Sequence, residues 1–493
     1  MNLTFVPKES DKAYLADRLW LPKSGIRTEP VKRALEFMVN GKNLDGTPAQ
    51  VKMSMWNETL NHLVCPREFI PATHYPRYKF PFVDLRPEFQ RTLFEDHVVP
   101  RNEEQAKAWH ALALNDNGIL NLGCGKGKTK LALKKIAQKQ VPTLVIVPDG
   151  GILDQWKESI FGNQAKGLSK GLSFDGELGL IQGPVFNWAK PITLALLTTL
   201  WMRIESGAIP EEVFRYFGLI VYDEVHFIGA PKFSLTATPF YGDRIGLTAT
   251  VRREDGLDPI YRYHLGEPFY SDLVQDLVPQ IYVQQAPTVM GPEEQSPHFS
   301  TLRAMLGRNL SGNTYRYYSI KAALDAGRKI LCLSHSKDQL RLFHAMFPGS
   351  TLIIGDTESS TRMEALRNSQ ICFAIARLGA TGVDDDQLDT LFWLTPFRAK
   401  GTLQQSMGRI QRERPGKKPP IMVVFEDWMI PSFKRMVGAI KRSLKEWNFP
   451  FETLKPLRVP TTLPPEVQAL YDKALANLPI NIEKEEDEEE EKE

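Results

Sequence analysis

The chain has 493 residues, 61 Lys and Arg against 59 Asp and Glu, and 42% hydrophobic residues. That length suits about two to four domains with real cores, and no run of about 18 uninterrupted apolar residues marks a membrane span. The formal net charge of +2 hides an asymmetry. Residues 483–493 hold nine acids and two lysines, net −7, so the remainder carries +9. A mildly basic body suits a polyanion partner, and the acidic tail reads as disordered. Met1 to Lys8 has neither the charged nor the apolar segment of a signal peptide. Cys65, Cys124, Cys332 and Cys372 show no paired spacing. They fit a reducing compartment and exclude a cysteine-based zinc finger. A cytoplasmic monomer is the expectation.

Residues 1–85 carry no chemistry motif. Val31 to Met38 reads helical, and Trp56 to Leu63 as a second short helix. Pro66, Pro71, Pro76 and Pro81 then alternate with Phe69, His74, Tyr75, Tyr78, Phe80 and Phe82, beside Arg67, Arg77 and Lys79. Rings that stack bases beside cations that meet phosphate make a candidate nucleic-acid surface. The plainer alternative is a small α+β domain with its aromatics turned inward.

From residue 86 to 270 the pattern alternates strand and helix. Gly118 to Leu122 is a predicted strand, and Gly123-Cys124-Gly125-Lys126-Gly127-Lys128-Thr129 follows it, ahead of a helical run from Lys130 to Gln138. Backbone N–H groups at such a helix start cradle phosphates. Lys128 reaches the β- and γ-oxygens and the Thr129 hydroxyl can ligate Mg²⁺. The commonest form of the loop has a glycine where Leu122 stands. Thr143 to Pro148 is the next strand, then helical Gly151 to Ser159, then strands Ile192 to Leu197 and Leu219 to Tyr222. The last runs into Asp223-Glu224-Val225-His226. Two carboxylates on a buried strand tip suit a metal-nucleotide site, one holding Mg²⁺ and one polarising water. Arg244 to Thr250 closes the series. Continuous apolar strands alternating with helices imply a parallel sheet buried on both faces.

Residues 271–315, with Pro279, Pro287, Pro292 and Pro297, read as a linker region. The alternation restarts over residues 316–430: strands Lys329 to Ser334, Ser350 to Ile354, Ile371 to Ala376, Thr390 to Leu394 and Ile421 to Phe425, with a helix from Lys337 to Met346. This half has no phosphate loop of its own. It ends in Gln405-Ser406-Met407-Gly408-Arg409-Ile410-Gln411-Arg412, whose two arginines are expected on one helix face. Such arginines can act as fingers on a γ-phosphate. Residues 431–482 read as a helical extension that includes the basic amphipathic stretch Lys434 to Lys445.

The ordered set over residues 100–430 resembles the superfamily 2 helicases and translocases. Gly123 to Thr129 looks like motif I, Val145 to Pro148 with Gln155-Trp156 like motif Ia, and Thr198-Thr199 like motif Ib. Asp223 to His226 looks like motif II and Thr248-Ala249-Thr250 like motif III. Ile330 to Ser334 resembles motif IV, Gly382-Val383-Asp384 motif V, and Gln405 to Arg412 motif VI. The second half is also similar to phage-encoded, UvsW-like fork- and junction-remodelling helicases. That likeness lies in Asn313-Thr314-Tyr315-Arg316, Gly327 to Phe343, and Thr395-Pro396 leading to Leu403-Gln404-Gln405-Ser406.

The resemblance implies two RecA-like parallel-sheet lobes, an α/β fold, beside a small N-terminal α+β domain. It implies ATP and Mg²⁺. Gly123, Gly125, Gly127, Lys128 and Thr129 hold the phosphates, Thr129 and Asp223 the metal. Glu224 is the base. Gln405, Arg409 and Arg412 act on the γ-phosphate. His226, Thr248, Thr250, Gly382 and Asp384 couple closure to hydrolysis. Gln105 reads adenine, with Gln90 as the alternative. Pro148, Thr198, Ser334 and Thr381 meet nucleic acid, joined by Arg77 and Lys79 of the accessory domain. The leading expectation is an ATP-dependent motor that remodels branched DNA. An RNA helicase and a nucleotide-switched clamp are the alternatives.

Overall fold

The computed structural model describes all residues except 1–6, 8, 43–47, 124, 165–167, 250–252, 254, 273–276, 291–298, 355–367, 377–384, 386, 398–399, 413, 415 and 480–493. Thr250, Thr381, Gly382, Asp384 and the acidic tail therefore lie outside the described residues. The chain divides into two compact units, Met1–Leu273 and Val274–Glu493. Among the described residues no helix is long and apolar enough to cross a membrane.

The first unit is built on an eight-stranded sheet. Its order is Val185–Asn187, Leu178–Gln182, Ile192–Leu196, Thr143–Val147, Leu219–Asp223, Asp243–Thr248, Gly118–Leu122 and Pro268–Asp272. Only Val185–Asn187 runs antiparallel to its neighbour. Alternate residues feed opposite faces. Leu120, Val145, Val221 and Leu247 enter one core with helices Lys128–Lys139 and Gly150–Phe161. Ile119, Leu144 and Ile220 enter the other with Leu200, Phe217 and Tyr261. Both faces being covered is why these strands read as unbroken apolar runs.

The N-terminal part adds a five-stranded sheet, ordered Asn57–Glu58, His62–Cys65, Leu19–Pro22, Ala13–Leu15 and Phe82–Asp84. Glu36–Lys42 and Pro48–Ser54 pair antiparallel as a separate two-stranded sheet. The expected helix over 31–38 is instead the short helix Thr28–Ala34 followed by the first hairpin strand. Phe37 and Val39 lie on one face of that strand and pack near Leu257 and Ile260, which is alternation rather than helical spacing. The expected helix over 56–63 is two strands. Thr59 turns the chain between them, its N–H bonding His62 O and its hydroxyl accepting from His62 N.

The aromatic stretch turns inward. Tyr75 stacks on Phe82 at 3.7 Å, and Tyr78, Phe80 and Phe69 join the same core. Arg67 leaves the surface altogether. It is 0% exposed and donates to Tyr241 O at 2.8 Å, Gly242 O at 2.6 Å and Asn117 Oδ1 at 2.7 Å. Arg244 answers from the large sheet by donating to Asp17 O at 2.8 Å, and Arg86 reaches Asp243 at 2.7 Å. Buried guanidiniums stitched to backbone carbonyls make the N-terminal sheet part of the first unit.

The second unit holds a seven-stranded, wholly parallel sheet. Its order is Thr351–Ile353, Ile371–Ile375, Ile330–Ser334, Thr390–Trp393, Ile421–Glu426, Gln280–Gln285 and Phe451–Leu454. Residues 271–315 are thus not merely a linker. They contribute strand Gln280–Gln285 and helices Phe299–Arg308 and Leu310–Asp325, and Pro279 and Pro287 flank that strand rather than break it. The C-terminal extension is not all helix either, because Phe451–Leu454 follows helix Pro431–Glu446 and pairs with the sheet edge. Asn313 and Arg316 are buried, Arg316 pairing with Asp427 at 2.6 Å.

Candidate nucleotide site

The phosphate loop spans the end of strand Gly118–Leu122 and the start of helix Lys128–Lys139. Gly125 and Gly127 take φ of 77° and 80°, a region open to glycine and strained for other residues. A Cβ at Gly127 would also lie 2.1 Å from Gln105 Nε2. That nitrogen donates to Lys126 O at 3.1 Å, while Gln105 Oε1 accepts from Arg101 N at 2.8 Å. Gln105, expected to read adenine, is buried and in this structure braces the loop. Gln90 is exposed. Lys128 Nζ donates to Leu122 O at 3.0 Å.

The acids stand two strands away in the sheet, with Asp243–Thr248 between them and the phosphate strand. Asp223 pairs in register with Leu247, and Thr248 with Asn121. Asp223 Oδ2 accepts from the indole of Trp156 at 2.7 Å, and Oδ1 from Glu224 N at 3.0 Å. Burial, then the neighbouring Glu224 carboxylate, push Asp223 up to about 6; the Trp156 hydrogen bond, then Lys128, pull the other way. The phosphate-loop lysine and the acid pair therefore share one electrostatic site. Glu224 has φ of 48°, left-handed for a residue with a side chain, and such backbone costs about 1–3 kcal/mol and gathers at functional sites.

His226 Nδ1 lies 3.2 Å from Thr248 Oγ1 and 3.4 Å from Glu224 Oε2. Burial, then Arg253 and Lys128, push His226 down to about 3. The contact with Glu224 is thus between a neutral ring and a carboxylate, not an ion pair. His226 joins the turn after the acid strand to Thr248. Arg253 adds a hold on the same turn by donating to His226 O at 2.6 Å.

Oxygen donors from Asp223 and Thr129 beside a glycine-rich loop at a helix start fit a hard divalent cation and a polyphosphate. The sequence did not reveal the Trp156–Asp223 bond. Trp156 stood out beside Gln155, but nothing in the letters ties it to an acid 67 residues on. Nor did it reveal Arg253, or the pairing of Lys126 with Asp272 at 2.6 Å.

The remaining expected residues are dispersed. Pro148 is half-buried at the end of strand Thr143–Val147, and Thr198 is exposed at the start of helix Leu197–Glu205. Arg77 and Lys79 are exposed. Ser334 is not at a surface: it is 0% exposed, its hydroxyl donating to Gln339 Oε1 at 2.7 Å and accepting from Ser336 N. Gln405 and Arg409 lie on helix Lys400–Ile410 of the second unit. Arg412 lies beyond that helix, so the two arginines do not share a helix face. Gln411 turns the chain there by donating to Leu277 O at 3.0 Å.

Fold and site define a RecA-like nucleotide-hydrolase lobe, followed by a second parallel α/β unit. The comparisons narrow that class. Residues 97–253 match the family model described as type III restriction enzyme, res subunit. Over 383 residues the chain is 25% identical to L396 of Acanthamoeba polyphaga mimivirus, which carries the name of an ATP-dependent RNA helicase; the match covers 73% of this chain and 68% of that one. Over 186 residues it is 34% identical to the DNA 3'-5' translocase XPB2 of Sulfurisphaera tokodaii, covering 38% of each. The structure of S. cerevisiae Dbp5 bound to RNA and ADP BeF3 has a TM-score of 0.50 at 13% identity, covering 76% of this chain and 93% of that one, a likeness of fold. Together they support a superfamily 2 helicase, an enzyme of the nucleic-acid-dependent ATPase class. They do not single out the UvsW-like subgroup.

Proposed function

We propose that this chain is an ATP-driven DNA motor that translocates on a strand and remodels branched DNA in replication, recombination or repair. The observation that supports the motor reading most directly is the half-buried Asp223–Glu224 pair, at a strand end within the field of Lys128. Bound Mg²⁺ would neutralise phosphate charge, with Thr129 and Asp223 as its protein ligands. Lys128 and the loop N–H groups bind the phosphates. Glu224 accepts the proton of a water that attacks the γ-phosphorus as the bond to ADP breaks. Neutral His226 passes the state of that site to Thr248. Gln405, Arg409 and Arg412 act on a γ-phosphate, and Pro148, Thr198 and Thr381 on the strand. Phosphate contacts position such a track without reading sequence.

DNA is favoured over RNA by the higher identity to a DNA translocase; L396 favours RNA. The test is ATP hydrolysis with matched single-stranded DNA, duplex, fork and RNA, for the wild type and Glu224→Gln. Forked DNA is expected to stimulate most, and Glu224→Gln to bind nucleotide while losing ~10²–10⁴-fold in rate. Equal or stronger stimulation by RNA would replace DNA as the track. Tight, nucleotide-dependent binding with no stimulated hydrolysis would make the protein a clamp.

A further inference from the structure

The phosphate loop carries a second lysine that the chemistry above does not use. Lys126 is 8% exposed, and its ammonium lies 2.6 Å from Asp272 Oδ2. Asp272 holds the loop a second time, its backbone oxygen accepting from Gly123 N at 2.9 Å. It ends strand Pro268–Asp272, where it pairs in register with Leu122, the last residue of the phosphate strand. Lys126 is also held from the other side, since its carbonyl accepts from Gln105 Nε2. The middle of the loop is therefore fixed by its carbonyl and by its ammonium, and its start by the same residue that takes the ammonium.

A nucleotide cradle works by having its N–H groups aimed before the ligand arrives. A lysine with a long, flexible stem in the middle of that cradle would swing toward any polyphosphate and distort the loop. A carboxylate at hydrogen-bonding distance removes that freedom and leaves Lys128 as the phosphate contact. We propose that Asp272 is a positioning residue for the phosphate loop, its carboxylate fixing Lys126 and thereby the loop shape that receives the triphosphate of ATP. The proposal rests on the ATP-binding reading above.

The test uses the full chain, binding of a fluorescent ADP analogue, and ATPase kinetics. Asp272→Asn keeps the backbone bond to Gly123 and removes only the charge. It is expected to raise KM for ATP and Kd for ADP about tenfold, the scale of one charge-assisted hydrogen bond, with kcat at saturating ATP within about threefold. Lys126→Met should do the same, and the double variant should be no worse than either, because both remove one shared contact. Asp272→Glu should recover part of the affinity. Additive losses, or unchanged KM in both single variants, would overturn the proposal. So would a fall in kcat that tracks a falling Tm, which would mark a merely structural pair. Should Asp272→Asn fail to fold, Lys126→Met and its KM-against-kcat split carry the test. Failure of the wild type to bind ADP would count against the ATP reading. ADP binding lost in Lys128→Ala but untouched in the Asp272 and Lys126 variants would count against the positioning role alone.

Discussion

The indole N–H of Trp156 donates to Asp223 Oδ2 at 2.7 Å. It joins helix Gly150–Phe161 to the end of the acid strand and steadies a carboxylate that burial would otherwise neutralise. A hydrogen bond to a charged group contributes about 1.5–3 kcal/mol. Trp156→Phe keeps an aromatic in the core and removes the donor. The expected outcome is a Mg²⁺ requirement for ATP hydrolysis raised at least tenfold, read from a Mg²⁺ titration at fixed ATP. An unchanged titration with a lowered Tm would reduce Trp156 to packing.

The pH dependence of the site has two opposed parts. Asp223 sits at about 6, above its ordinary 3.8. Folding favours its protonated form, so its contribution to stability is present below about 3.8 and is lost as pH rises through 6. His226 sits at about 3, below its ordinary 6.5. Its contribution is present above 6.5 and is lost as pH falls toward 3. Holding a cation needs ionised Asp223, so affinity for Mg²⁺ with ADP should fall as pH drops below about 6. Glu224→Gln removes a neighbouring charge and should move that inflection to lower pH, and His226→Asn should leave the inflection in place. Binding measured from pH 5 to 8 decides; an inflection unmoved by Glu224→Gln would assign it to burial alone.

Arg67 should behave as a structural keystone rather than a nucleic-acid contact. Arg67→Ala leaves Tyr241 O, Gly242 O and Asn117 Oδ1 without a shared donor in a sealed interface. Breaking a buried charged network of this kind costs about 3–5 kcal/mol. Denaturant unfolding should show that loss, and Arg67→Lys should recover only part of it, because an ammonium cannot span three acceptors in a fork. For the same reason, deleting residues 1–85 should yield a poorly soluble protein. Arg77→Ala with Lys79→Ala should leave stability unchanged while weakening DNA binding and lowering its salt slope by about one to two ion contacts. A truncated chain that folds and hydrolyses ATP like the whole would reject this role for the N-terminal sheet.

Arg409 and Arg412 are separated by a helix end, so their substitutions should differ. Arg412→Ala is expected to keep nucleotide binding and lose ~10³-fold or more in hydrolysis, the scale of an arginine finger. Arg409→Ala, within the helix, should also lower Tm. Single-turnover hydrolysis and thermal melting of the two variants separate these outcomes; equal kinetic losses with equal Tm would make them one unit.

The sequence by itself determined most of the parallel strands, the glycine-rich loop and the acid pair. Each is written in a contiguous run: Gly118–Leu122 into Gly127 and Lys128, and Leu219–Tyr222 into Asp223 and Glu224. Periodicity and glycine placement act over a few residues, so they are legible there. Where local signals were short, they misled. Phe37 and Val39 alternate in a hairpin that pays no heed to the helical spacing of Val31 to Met38, and prolines at 279 and 287 border a strand they seemed to forbid. Only the tertiary structure decided which distant groups meet. Arg67 reaches Tyr241 at the N-terminal end of the large sheet, while Trp156 reaches Asp223 and Asp272 reaches Lys126 at its C-terminal end, because strands set side by side in parallel bring together residues far apart in sequence. Burial there, not residue type, turns an ordinary carboxylate into one poised near 6 and a histidine into a neutral link.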